Sequence, residues 1–142
     1  MLAQSDSIIV TGKFSEDLLS SEWFRSWNSA SAAYHPDEAT INQLAQIPTA
    51  TLEVDVYLGT WCEDSKNHVP AFIQVANTIE LSFMLIGVNR EKECPFDKKE
   101  CKNWDITNVP TFIVKRDGKE IGRIIETPAK SIEKDLLEIL KK

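Results

Sequence analysis

The chain has 142 residues, 42% of them hydrophobic, and a formal net charge of -6. This length suits one domain with a single core. The acidic balance disfavours nucleic acid and anionic membrane surfaces as partners, because clustered lysine and arginine supply most of that affinity. The short basic runs Lys98-Lys99 and Lys141-Lys142 do not outweigh it. No apolar run approaches the roughly 18 residues that cross a bilayer, so we expect no membrane-spanning segment.

The start of the chain gives the first indication of location. Residues 1–6 carry neither a basic flank nor an apolar stretch, and a secretory signal peptide needs both. We therefore favour a cytoplasmic location. An exported mature form, from which a signal peptide has been removed, stays open as the alternative.

Residues 14–44 are polar and predict two helices. A start signal lies near Ser15, and four apolar residues follow at the spacing of a core-facing helix: Leu19, Trp23, Phe24 and Trp27. Pro36 ends this helix. A second short helix is predicted over residues 37–44, with Asp37 or Thr40 as its cap.

Residues 51–88 predict a strand, a helix and a second strand. Residues 51–58 are alternating and β-branched, and Gly59-Thr60 follows as a turn. A helix is predicted from Cys62 to Thr78, kinked at Pro70. The continuous apolar run over residues 81–88 is typical of a central strand covered on both faces. Together these elements indicate a βαβ unit with a right-handed crossover.

The remaining segment predicts a hairpin and a closing helix. Residues 91–104 are charged and indicate a loop followed by a helix. Strands are predicted over residues 109–114 and 120–125, joined by a turn at Asp117-Gly118. From residue 131 onward, four apolar residues mark one face of an amphipathic helix: Ile132, Leu136, Ile139 and Leu140.

Cys62 stands where the first of these strands gives way to a helix. A helix start directs unpaired backbone N–H groups and the positive end of the macrodipole at such a side chain, which favours the thiolate form. Trp61 beside it offers a flat apolar surface to a peptide and shields the thiol. The placement therefore predicts a nucleophilic cysteine.

Several separated motifs make the chain resemble the thioredoxin superfamily. The run Trp61-Cys62-Glu63-Asp64-Ser65-Lys66 stands where that family carries Trp-Cys-x-x-Cys, and Pro70 matches its helix-kinking proline. Val109-Pro110-Thr111 matches its cis-proline loop, and Trp104-Asp105-Ile106 resembles the Tyr-Gly-Ile ahead of that loop. The resemblance covers roughly residues 52–140.

The resemblance implies an α/β thioredoxin fold, a central mixed sheet with helices on both faces. Residues 46–142 would form the thioredoxin-like domain, and residues 1–45 a helical extension packed on it. Cys62 and Ser65 would occupy the catalytic positions, with the peptide-docking surface formed by Trp61, Val109, Pro110 and Thr111. An X-Pro bond is the usual place for a cis peptide, which leaves backbone groups free for an extended substrate. Thiols and disulfides of proteins or small molecules are the implied partners, and we expect no cofactor.

The chain departs from the family pattern at the second catalytic position, where Ser65 replaces a cysteine. A dithiol enzyme releases its mixed disulfide by attack of the second thiolate, which a serine cannot perform. Cys62 would therefore act as a lone thiol, with release by an external thiol. Such monothiol chemistry suits isomerisation or reversible thiolation more than net reduction.

Charged neighbours of Cys62 also differ from the family. Glu63 and Asp64 disfavour a thiolate, whereas Lys66 and the helix start favour it. Asp64 is alternatively a helix cap. Glu126 adds another anion where the family often has glycine near the active surface.

The family's buried acid is also missing. Val56 occupies its position, six residues before Cys62. Asp55 is adjacent but should lie on the other face of the strand. The usual proton acceptor is therefore expected to be absent.

The other cysteines and the histidines carry weaker signals. Three cysteines cannot all pair, and no metal site is expected, since a Cys-x-x-Cys pair is missing and His35 and His68 lie apart from the cysteines. A fully helical segment would hold Cys94 and Cys101 roughly 10 Å apart, beyond the roughly 7 Å limit of a disulfide. A proline after Cys94 indicates a loop instead, so a local bridge and second redox pair stays open beside a structural role.

Two functions follow as hypotheses. The first is a thiol-disulfide oxidoreductase or isomerase that acts through Cys62, and the alternative is a non-catalytic thioredoxin-fold module that binds peptides or proteins. A peroxide-sensing thiol is a weaker third hypothesis, because no Thr-x-x-Cys signature precedes Cys62.

Overall fold

The computed structural model describes residues 8–142 of the chain. The expectation about a targeting segment falls on residues 1–6, which lie outside the described residues. The side chain of Trp23, one member of the predicted apolar stripe, lies outside them too.

The described residues form five strands and five α-helices. The strands are β1 (Gly12–Phe14), β2 (Leu52–Leu58), β3 (Ser82–Gly87), β4 (Thr111–Arg116) and β5 (Lys119–Ile125). The helices are α1 (Arg25–Ala33), α2 (Glu38–Leu44), α3 (Glu63–Thr78), α4 (Glu100–Asn103) and α5 (Ile132–Leu140). Two short 3-10 turns, Glu16–Leu18 and Glu22–Phe24, precede α1.

The strands form one mixed sheet in the order β1-β3-β2-β4-β5. β2 and β3 run parallel and are joined by α3, as the βαβ pattern predicts. The other neighbouring pairs are antiparallel, and β4 and β5 meet in a hairpin at Asp117-Gly118. A mixed sheet with helices on both faces, the predicted fold class, is therefore confirmed.

Alternation along the strands divides the interior into two clusters. On one face, Val54, Val56 and Leu58 of β2 contribute to the main core together with α1, α2, α3 and α5. On the other face, Tyr57 and Ile113 belong to a smaller cluster that includes residues of the β3–β4 connection. Because successive strand residues point to opposite faces, the two clusters come from the same strands.

Two features of the sheet differ from the sequence prediction. β1 was not predicted, because three residues give too little alternation to recognise, and it pairs with β3 so that β3 is an inner strand. The prediction that β3 is covered on both faces is wrong for its first half: Ser82 is exposed and Met84 is 40% exposed. The connection from β3 to β4 contains only the four-residue α4, which is too short to cover that face.

The N-terminal segment packs on the main core through aromatic side chains. Ser15 caps a 3-10 turn by accepting from the backbone N–H of Asp17, and the regular helix begins later, at Arg25. Phe24 and Trp27 are buried and meet edge to face with ring centroids 6.0 Å apart. This segment therefore supplies core residues, as the apolar stripe predicts, but the prediction of a helix that starts near Ser15 is wrong, because two 3-10 turns precede α1.

Glu133 of α5 ties this segment to the end of the chain. The carboxylate is buried and accepts hydrogen bonds from the Tyr34 hydroxyl and, at 2.8 Å, from the backbone N–H of Asp37. These bonds offset the cost of burying a carboxylate. Asp37 is the cap of α2, since its side chain accepts from Thr40 N at 3.0 Å.

The C-terminal helix follows its predicted pattern. Ser131 caps α5 through its hydroxyl oxygen, which accepts from Lys134 N at 3.2 Å. Its predicted apolar face lies in the main core. Within residues 8–142, no helix is both long and apolar enough to cross a bilayer.

Candidate active site

Cys62 lies at the N-terminal end of α3, directly after the turn that follows β2. Its backbone is extended (φ -99°, ψ 128°), and its carbonyl accepts the first helical hydrogen bond from Lys66 N at 3.0 Å. The side chain is half-buried, and its thiol is free. The sulfur lies at the positive end of the helix dipole, and it makes no capping hydrogen bond to the helix.

The cis-proline loop meets this cysteine. The Val109-Pro110 peptide bond is cis, and Cys62 Sγ lies 3.7 Å from the Val109 carbonyl oxygen, to which the thiol donates a weak hydrogen bond. Two motifs that are 47 residues apart in sequence are thus in contact.

Neighbouring groups hold this loop in place. The Thr111 side chain is buried and donates from its hydroxyl to Asn108 O at 2.6 Å, and its backbone is in register with Tyr57 of β2 and Ile125 of β5. Glu126 N donates to Pro110 O at 2.7 Å. Glu126 has a left-handed backbone (φ 59°), a conformation that costs roughly 1 kcal/mol for a residue other than glycine. The backbone of Glu126 therefore braces the loop.

Trp61 is half-buried and fixed from two sides. Its indole Nε1 donates to the Val88 carbonyl at 3.0 Å. Its ring lies so close to Gly59 that a Cβ there would stand 2.5 Å from Cε2. The Arg90 guanidinium lies 5.9 Å from the ring centroid, within cation-π range. Glycine at position 59 therefore leaves the room that the indole ring occupies.

Ser65 is fully buried in the first turn of α3. Its hydroxyl oxygen accepts from Gly59 N at 3.1 Å. The serine therefore fastens the end of the strand-to-helix turn to the helix. Where a dithiol site has its second sulfur, this chain has a structural hydrogen bond.

The charged residues around Cys62 are partly neutralised by each other. Lys66 Nζ lies 3.0 Å from Glu63, whose side chain is 72% exposed, and an exposed pair of this kind contributes little stability. Burial lowers the pKa of His68, and Asp64, one turn before it, partly counters that effect.

The position at which the family carries its buried acid is apolar in this chain. Val56 is completely buried in the main core. Asp55 lies on the opposite face, as expected, and pairs there with Lys115 at 2.6 Å. Among the strand residues before Cys62, no carboxylate therefore faces α3.

Sequence reasoning missed the role of Thr60. This residue was assigned only to a turn, but its side chain is buried and bonds the N-terminal segment. Its hydroxyl donates to Ile8 O and accepts from Val10 N at 3.1 Å. Gly87 makes room for the same segment, because a Cβ there would overlap the Val10 carbonyl. The N-terminal segment thus adjoins the turn that carries Cys62, and no sequence signal pointed to this contact.

Cys94 and Cys101 form a disulfide with a Cα–Cα distance of 5.6 Å. Of the alternatives left open by the sequence, the local bridge is the one observed. Its physical reason is that α4 begins only at Glu100, so most of the connecting segment is a loop that can fold back. Across residues 8–142, no three His, Cys, Asp or Glu side chains cluster closely enough to hold a metal ion.

Known thioredoxins are similar to this chain in sequence. Thioredoxin H2-1 of rice (Oryza sativa subsp. japonica) is 27% identical over 89 residues, an alignment that spans 62% of this chain and 60% of the rice protein. The mitochondrial thioredoxin-3 of Saccharomyces cerevisiae is 30% identical over 89 residues, covering 62% of this chain and 65% of the yeast protein. The chain thus spans about three fifths of the rice relative's length.

Structural similarity extends over more of the chain. A Pseudomonas aeruginosa protein of unknown function superposes with a TM-score of 0.59 at 16% identity, covering 82% of this chain and 78% of the other; this likeness concerns the fold alone. The family model described as Thioredoxin matches residues 37–141. Since that match includes the cysteine turn, the cis-proline loop and the closing helix, the chain belongs to the thioredoxin family.

Proposed function

We propose that this chain is a monothiol enzyme of thiol-disulfide exchange, an oxidoreductase or isomerase in which Cys62 is the nucleophile. The observation that carries the proposal is the free Cys62 thiol at the start of α3, in contact with the cis-proline loop. The buried Ser65 in place of a second thiol supports the monothiol mechanism.

The reaction proceeds in two exchanges. The Cys62 thiolate attacks one sulfur of a disulfide, forms a mixed disulfide with that half and releases the other half as a thiolate. An external thiolate then attacks the substrate sulfur of the mixed disulfide, which forms a new disulfide and returns the Cys62 thiolate. When the external thiol belongs to the same substrate, the result is isomerisation without net oxidation or reduction.

Substrate docking is assigned to the surface around the sulfur. The Trp61 ring supplies a fixed apolar face, and the Val109 carbonyl lies beside the sulfur, where an extended peptide can pair with it. Pro110 and Thr111 hold that carbonyl in place, through the bond that Pro110 O accepts from Glu126 N and through the strand pairing of Thr111. The Val109 carbonyl is engaged by the Cys62 thiol in the free protein. A bound peptide N–H would compete for that carbonyl, so docking releases the sulfur for attack.

The remaining site residues modulate this chemistry. Glu63 and Asp64 repel anionic disulfides, and Lys66 attracts them, in part offset by its ion pair with Glu63. Ser65 is a positioning residue, because its hydroxyl bonds Gly59 rather than facing a substrate. We expect the partners to be thiols and disulfides of proteins or small molecules, rather than nucleic acid or membrane.

Turnover with a glutathionylated peptide tests the proposal. With excess glutathione as the external thiol, the wild-type chain should remove glutathione from the peptide catalytically, and Cys62→Ser should not. The control is Cys94→Ser together with Cys101→Ser, which keeps the Cys62 thiol and should still turn over. Equal turnover by Cys62→Ser would refute the mechanism.

A non-catalytic binding module is the second candidate. It is favoured by the way Trp61 is held, since its bond to Val88 and its contact with Gly59 do not involve the sulfur. In that case peptide affinity survives Cys62→Ala and falls in Trp61→Ala. Catalytic turnover that is lost in Cys62→Ser would exclude this alternative.

Two further expectations are retained as proposals. We propose that residues 46–142 act as the thioredoxin-like domain and residues 1–45 as an extension packed on it, supported by the bonds of Tyr34 and Asp37 to Glu133. We also propose a cytoplasmic location, with an exported mature form as the alternative. Fractionation of the native host, followed by immunodetection, distinguishes the two locations.

A further inference from the structure

A cavity of about 580 Å³ opens beside the Cys94–Cys101 disulfide, and both cysteines line it. Each cysteine is less than a tenth exposed, and both contribute to the wall of this cavity. Three lysines line the same space, Lys92, Lys98 and Lys102, with Glu93 as the acidic residue of the lining.

The charge of this lining contrasts with the rest of the protein. The whole chain carries a net charge of -6, whereas this cavity gathers three cations and one anion. Within the described residues, none of the three lysines forms an ion pair. A locally positive cavity attracts an anionic ligand despite the overall acidic charge.

We propose that this cavity is a second redox site, at which an anionic low-molecular-weight thiol of the glutathione type opens the Cys94–Cys101 disulfide. The first thiolate attacks Cys94 or Cys101, forming a mixed disulfide and releasing the other cysteine as a thiolate. A second thiol then attacks the mixed disulfide, so two thiols are oxidised to one small disulfide and two protein cysteines are reduced. Protons pass to the cysteine thiolates from solvent.

The position of this disulfide gives the reaction a consequence for the first site. Both cysteines lie in the smaller hydrophobic cluster with Val109, and Trp61 and Cys62 pack against that cluster. Opening the bridge frees the segment between its cysteines and so loosens the cluster against which Trp61 and Cys62 pack. The proposal goes beyond the proposed function, because it concerns sulfurs that the Cys62 reaction does not use.

The test uses the full chain carrying Cys62→Ser, so that every new thiol comes from the pair. Glutathione, neutral 2-mercaptoethanol and cationic cysteamine are compared at equal thiolate concentration, and opened bridges are alkylated and counted by intact mass. We expect glutathione to react about five-fold faster than 2-mercaptoethanol, cysteamine to react slowest, and the difference to shrink with added salt.

A matched pair of variants assigns the effect to the cavity. Replacing Lys92, Lys98 and Lys102 by glutamine should abolish the preference for glutathione. Replacing the exposed Lys13, Lys119 and Lys142 by glutamine changes the net charge equally and should keep it.

Several outcomes would overturn the proposal: free thiols at Cys94 and Cys101 in air-oxidised protein, equal rates for the three probes, equal effects of the two triple variants, or opening only at the rate of global unfolding. Because Cys62 is absent from this background, each of them leaves the proposed function untouched.

Discussion

Replacing Ser65 by cysteine should convert this monothiol site into a dithiol site. Side chains three residues apart at a helix start lie on the same side of the helix, so we expect the introduced thiol to reach the mixed disulfide on Cys62. Its thiolate would attack Cys62 Sγ, form an internal disulfide and release the substrate thiol. The wild-type chain has only the Ser65 hydroxyl there, and it already accepts a hydrogen bond from Gly59.

The size of the gain follows from proximity. Well-oriented groups on one molecule reach effective concentrations of about 10⁵ M or more, and a value of only about 0.1 M would already make release about 100-fold faster than attack by about 1 mM external thiol. The stability cost is small. Losing the bond from Gly59 N to a good acceptor costs roughly 1 kcal/mol of unfolding free energy.

The assay starts from protein with glutathione on Cys62 and with all free thiol removed. Release of glutathione should be first order in Ser65→Cys and negligible in wild type. Ser65→Ala is the control, since it loses the same hydrogen bond without gaining a thiol and should retain glutathione. Release from wild type as fast as from Ser65→Cys, or retention by a folded Ser65→Cys, would refute the reasoning.

Other predictions concern stability. Joint replacement Cys94→Ser and Cys101→Ser removes a crosslink of sequence separation 7 and should lower the unfolding free energy in urea by roughly 2.5 kcal/mol; an unchanged midpoint would contradict this. Gly87→Ala places a methyl on the backbone carbonyl that crosses from the N-terminal segment, so hydrogen exchange should accelerate in β1 and not in β5. Burial raises the pKa of Tyr34 and Tyr57, whereas the unfolded phenols ionise near pH 10. Urea midpoints should therefore stay level below about pH 10 and fall above it, less steeply after replacement of both tyrosines by phenylalanine, and parallel falls would refute this.

The elements that carry the chemistry were predictable because their signals are local. The alternating β2 sequence, the helix that begins after Cys62 and the Asp117-Gly118 turn each follow from spacing within a few residues. Pro70 lies inside α3 as expected. The opposite orientation of Asp55 follows from strand alternation alone.

What sequence reasoning missed depends on distant contacts. β1 is too short to show alternation; it is held by pairing with β3, and the residues just before it are held by the Thr60 hydroxyl. The exposure of Met84 arises because the connecting helix α4 is short, which depends on the path of the whole crossover.

The candidate site shows the same limit. Contact between Cys62 and Val109 joins motifs far apart in sequence, so it was expected only through the family resemblance. The hydrogen bond from Gly59 to Ser65, by contrast, is local, but a serine in place of a cysteine says nothing about the partner of its hydroxyl. The Cys94–Cys101 bridge depended on where α4 begins, which its charged sequence did not define.

The most direct test of the central claim is the reaction of the protein with glutathione disulfide, followed by intact mass and peptide mapping. Wild type should gain one glutathione, mapped to Cys62, and Cys62→Ser should gain none. Equal glutathione uptake by Cys62→Ser, or a wild-type Cys62 that stays unmodified in folded protein, would contradict its role as the nucleophile.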